Sequence, residues 1–63
     1  MGGQTVLVVD DDKEIREAIA IYLRNEGLNV LEAEDGAAAL DMLERHEVHL
    51  ILLDVMMPRL DGL

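Results

Sequence analysis

The stretch Val48-His49-Leu50-Ile51-Leu52-Leu53-Asp54-Val55-Met56-Met57-Pro58 constrains the chain more than any other. Leu50 to Leu53 are apolar at every position, so neither alternating face is polar. That is the pattern of a strand in a parallel sheet covered by helices on both sides. A single ionisable residue, Asp54, ends the run, and Pro58 stops regular pairing from continuing far beyond it. Ligands of open α/β sheets sit at the carboxyl ends of the strands, which suits Asp54 to chemistry. The plainer reading is an Asp that turns the chain.

Thr5 to Val9 has the same design: β-branched, apolar on both faces, and closed by Asp10-Asp11-Asp12. Between the two runs lie the signals of two helices and one shorter strand. From Lys13 to about Asn25, Ile15, Ala18, Ile19, Tyr22 and Leu23 recur at helical spacing, with Glu14, Arg16, Glu17 and Arg24 largely elsewhere. Asp12 is suited to cap that helix, Asp11 with Glu14 forms an alternative capping pair, and Gly27 stands where a left-handed stop is needed. Asn29 to Ala33 is a strand interrupted by Glu32, as suits a sheet edge. Glu34-Asp35-Gly36 turns the chain into a second helix reaching about Arg45, with Ala39, Leu40 and Leu43 as its best apolar stripe and Met42, Ala37 and Ala38 beside it. Arg59 to Leu63 has the form of a loop entering a further helix, with Asp61 as its cap.

The order is therefore βαβαβ. Right-handed crossovers place the strands in the order second, first, third, with one helix on each face of a three-stranded parallel sheet. The third strand then lies at an edge although its composition is that of an interior strand, which implies that something covers it.

Composition narrows the function. Fourteen acidic against five basic residues give a net charge of −9, which opposes phosphate backbones and anionic lipid heads and argues against direct nucleic-acid or membrane binding. No apolar run approaches the ~18 residues of a membrane span. There is no cysteine, so no disulfide supports a chain of 63 residues, and the expected setting is cytoplasmic. His46 and His49 have no partners at a metal spacing, and the methionines read as packing residues. Residues 1–4 read as a disordered leader.

With the first and third strands adjacent and parallel, Asp10 and Asp11 after one and Asp54 after the other converge at one end of the sheet. At ~5 Å and an effective dielectric of about 20, each like-charged pair costs roughly 3 kcal/mol. A divalent cation relieves that repulsion, and all-oxygen ligands favour magnesium. The simpler alternative for Asp10 and Asp11 is helix capping and surface charge.

Val8-Val9-Asp10-Asp11-Asp12, Asp35-Gly36, and Leu53-Asp54-Val55-Met56-Met57-Pro58 followed by Asp61-Gly62 together resemble the receiver domain of bacterial two-component response regulators. The resemblance spans nearly the whole chain. It implies half of a flavodoxin-like doubly wound α/β fold, with residues 5–63 forming a partial receiver that stops before its third helix. It implies Asp54 as the phosphoacceptor, phosphorylated by a sensor histidine kinase with Mg2+. Asp11 is implied as a direct metal ligand, Asp10 as a ligand acting mostly through water, and the backbone carbonyl of Met56 as a further ligand; Pro58 and Gly62 shape the loop. A chain of this kind accepts a phosphoryl group and is not an enzyme on a separate substrate. The family's Ser or Thr on a fourth strand and Lys on a fifth have no counterparts here, and Lys13, which begins a helix, does not replace them.

Two other functions compete with that reading. One is a self-associating half-domain or engineered fragment without phosphotransfer, a two-fold homodimer that pairs its third strands or exchanges elements, with antiparallel pairing favoured because it keeps the acidic ends apart. The other is a bare magnesium or calcium site.

Overall fold

The computed structural model describes residues 3–53. Its centre is β1 (Thr5–Val9), in which Val6, Leu7, Val8 and Val9 are all buried. Strand β1 is flanked by β2 (Asn29–Ala33) and β3 (Leu50–Leu53), both parallel to it, in the order β2-β1-β3 expected from the crossover rule. Val9 is the register partner of Ala33 on one side and of Leu53 on the other, so the three strands end level.

Helix α1 (Lys13–Asn25) starts where Asp12 turns the chain, its carboxylate accepting from the N–H groups of Glu14 at 3.0 Å and Ile15 at 3.3 Å. It is stopped past its C-cap Glu26 by Gly27, whose φ of 88° lies in the left-handed region that glycine enters without penalty. Around that stop, Gly27 N–H donates to the Arg24 carbonyl at 3.0 Å and Leu28 N–H to the Leu23 carbonyl at 3.2 Å, satisfying carbonyls the helix leaves open. Helix α2 (Gly36–Arg45) is capped by Asp35, which accepts from Ala38 N–H at 2.8 Å.

The helices cover opposite faces of the sheet. Leu7, Val9 and Ala33 form one core with Ala39 of α2, against which Leu31, Ala38, Met42 and Val48 pack. Alternation sends Val6 and Val8 to the other face, where Glu32, the register partner of Val8, meets Arg16 of α1. Ahead of β1, Asn29 N–H donates to the Gln4 carbonyl at 2.9 Å and its side-chain amide to the Gly3 carbonyl at 3.1 Å.

The helix faces differ from those expected. In α1 the residues turned to the sheet are Arg16, Ile19, Ala20 and Leu23, whereas Ile15, Ala18 and Tyr22 are exposed, Tyr22 to 64%. The reason is pairing: Arg16 and Arg24 both reach Glu32 on β2, which rolls the helix toward that strand and brings the small Ala20 closest to the sheet. The N-cap is Asp12, and Asp11 takes no part in it. In α2 the packed line is Ala38, Ala39 and Met42, while Leu40 and Leu43 are exposed, because small residues allow the helix closest approach to the sheet.

Strand β3 shows the expected conflict between composition and place. It pairs with β1 alone among the described residues, and Leu50, Ile51 and Leu53 are exposed. Just before it, His49 closes the pairing: its N–H donates to the Thr5 carbonyl at 2.8 Å, and its Nδ1 accepts from Thr5 N–H at 2.9 Å.

Candidate functional site

The acidic residues after β1 divide into three roles. Asp10 is buried, only 4% exposed, and is held from several sides. Its N–H donates to the Ala33 carbonyl at 3.1 Å, which extends the β1–β2 ladder by one residue past the strand. Its carbonyl accepts from Arg16 Nη1 at 2.9 Å, and its Oδ1 accepts from Asp12 N–H at 2.9 Å. Asp11 is exposed. Asp12 is the helix cap, the role the sequence suggests for it.

Burial of the Asp10 carboxylate calls for a countercharge. Among the described residues no cationic side chain supplies one: Arg16 reaches the carbonyl rather than the carboxylate, and Lys13 is exposed with its ammonium 4.0 Å from Glu17. A buried carboxylate without a cation, followed in the chain by one in water, is a set of hard oxygen donors that fits magnesium. The described residues alone do not enclose an ion, since no three His, Cys, Asp or Glu side chains among them stand close enough together.

Asp54, Met56, Pro58 and Gly62 lie outside the described residues. What the structure does give is the exit of the strand that leads to them. Leu53 is the last residue of β3 and the register partner of Val9, the last of β1. Asp10 and Asp54 are the next residues in sequence after those two partners.

Arg16 and Glu32 were missed as parts of this region by reading the sequence alone. Arg16 Nε lies 3.0 Å from Glu32 Oε1, and the pair is largely shielded, with side-chain exposures of 15% and 26%. The available signal was Glu32 itself, one acid within an otherwise apolar or neutral strand that must find a partner on the covering helix.

Comparison with known proteins agrees with this arrangement. The family model described as response regulator receiver domain matches residues 6–63. The response regulator MprA of Mycobacterium sp. (strain KMS) is 48% identical over 58 residues, covering 92% of this chain and 25% of that protein. The response regulator GtcR of Aneurinibacillus migulanus is 41% identical over 59 residues, covering 94% and 24%. The regulatory protein VanRc of Enterococcus gallinarum is also 41% identical over 59 residues, covering 94% and 26%. The chain thus spans about a quarter of the length of these relatives. No solved structure matches it significantly. With 58 of the 63 residues of the chain matched by the family model and the β2-β1-β3 sheet in place, the chain belongs to the response regulator receiver domain family.

Proposed function

We propose that this chain is the phosphoryl-accepting segment of a two-component response regulator, in which Asp54 takes a phosphoryl group from a phosphohistidine of a sensor kinase. In that step a carboxylate oxygen of Asp54 forms a bond to phosphorus as the bond from phosphorus to the histidine nitrogen breaks, leaving an aspartyl phosphate and a free imidazole. Asp10, Asp11, Asp54 and the Met56 carbonyl would hold Mg2+, with Pro58 and Gly62 shaping the loop. Bound there, the ion neutralises charge where an anionic nucleophile meets an anionic phosphoryl group. The chain's own contribution is to fix the acids: burial and three hydrogen bonds hold Asp10, while Asp11 stays open to solvent.

The observation that carries this reading is the parallel pairing of Val9 with Leu53, after which Asp10 and Asp54 follow directly. Its test is incubation with Mg2+ and acetyl phosphate. A mass gain of one phosphate that disappears in Asp54→Asn is the expected result, and an unchanged mass in the presence of Mg2+ would contradict it for this chain. A net charge of −9 supports a protein partner and not a nucleic acid for this segment.

A second reading concerns the physical state. Leu50, Ile51 and Leu53 are exposed on a strand whose outer edge is unpaired among the described residues. That edge, which carries none of the charges or prolines that block strand addition, suits antiparallel pairing with the β3 of a second copy. Sedimentation at micromolar concentration should give a dimer, and a folded monomer would exclude it.

A further inference from the structure

Arg16 does two things at once. Its N–H donates to the Asp12 carbonyl at 2.9 Å and closes the first turn of α1. Its side chain runs back past that turn, Nε to Glu32 Oε1 at 3.0 Å and Nη1 to the Asp10 carbonyl at 2.9 Å. Glu32 is itself fixed on β2, with its other oxygen 3.7 Å from Arg24. The guanidinium is therefore a rigid fork whose direction is set by a strand and whose second prong holds the acidic edge.

The peptide unit is planar, so the Asp10 carbonyl oxygen and the Asp11 N and Cα lie in one plane. With Asp10 N–H tied to the Ala33 carbonyl, pinning that oxygen fixes the plane from which Asp11 departs. We infer that Arg16 is a positioning residue of the acidic edge: by bridging Glu32 and the Asp10 carbonyl, it fixes the point from which the Asp11 side chain leaves the backbone, and cation binding depends on it although its charge opposes a cation. This inference rests on the metal-binding reading of the edge.

The opposition in sign makes it testable. If Arg16 acted only through its charge, Arg16→Gln would bind Mg2+ more tightly and Arg16→Lys would be unchanged. Positioning requires the reverse: both variants should bind Mg2+ about tenfold more weakly, the low end for residues that orient a metal ligand from outside. Magnesium titration of the full chain, followed by amide chemical shifts, measures this on the folded molecules alone. Affinity that is unchanged or higher in both variants overturns the inference.

A second readout needs no metal. Loss of the clamp should free the Asp12 N–H to Asp10 Oδ1 bond, so in metal-free buffer the Asp12 amide should exchange with solvent about tenfold faster while Ile19 to Leu23 keep their protection. If the unmodified chain binds no Mg2+, the metal-binding reading falls, and Arg16 is judged by this exchange alone. An unchanged Asp12 rate then rejects the positioning role. If Arg16→Gln does not fold, Arg16→Lys decides both readouts.

Discussion

The same truncation made on two paired strands separates the buried centre of the sheet from its open edge. Leu7 of β1 is 0% exposed, whereas Leu50 of β3 is 53% exposed. Leu→Ala removes three carbons, about 2.4 kcal/mol of transfer free energy when the side chain is fully buried. At Leu7 a cavity term adds to this, because α2 packs against that face and cannot collapse freely, giving about 3 to 4 kcal/mol. At Leu50 roughly half the side chain already meets water and no closed cavity forms, so about 1 kcal/mol is lost. Stability for a chain of this size is about 3 to 9 kcal/mol in all, so Leu7→Ala should remove at least about a third of it and Leu50→Ala a much smaller share. Urea titrations followed by far-ultraviolet circular dichroism, at low micromolar protein, give both values from the midpoints at constant slope. Equal costs would refute the reasoning, since they would require β3 to be as well covered as β1. A Leu50→Ala cost that grows with protein concentration would assign the cover to a second copy.

Two local devices yield sharper, smaller numbers. Asp12→Ala removes the acceptor for two N–H groups at the start of α1 and should lower stability by about 1 kcal/mol, with Asp12→Ser restoring most of it in the same urea assay. Gly27→Ala has no atom within 4 Å to strike, so its whole cost is conformational. With φ at 88°, that cost should be about 1 to 2 kcal/mol, and a neutral result would mean that the turn relaxes to another shape.

The elements and their order were legible because each is marked by strong local chemistry. The apolar runs within Thr5–Val9 and Leu50–Leu53, the caps Asp12 and Asp35, and the stop at Gly27 all appear where the residue types require them. Helix orientation was not legible. Helix α1 carries Ile15 and Tyr22 on one flank and Ile19, Ala20 and Leu23 on another, and hydrophobicity alone favours the larger residues. The choice is made by Arg16 and Glu32, sixteen residues apart, which meet only once the crossover has set β2 beside β1. The role of His49 is hidden for the same kind of reason, since its partner Thr5 is forty-four residues away. Of the acidic site, the shared exit of β1 and β3 was legible from strand order, whereas the contrast between a buried, tethered Asp10 and an open Asp11 needed the packing of α1.

Titration with Mn2+ tests the central claim most directly, because this paramagnetic stand-in for Mg2+ prefers the same hard oxygen ligands and broadens amide signals near where it binds. If acids from two strands share one cation, trace Mn2+ should broaden Asp11 and Asp12 together with Leu53 and Val55, at a single concentration, and leave Gly27 to Asn29 at the far end of the sheet sharp. Broadening after β1 with Leu53 and Val55 untouched, or broadening spread over unrelated acids such as Glu26 and Glu44, would contradict it.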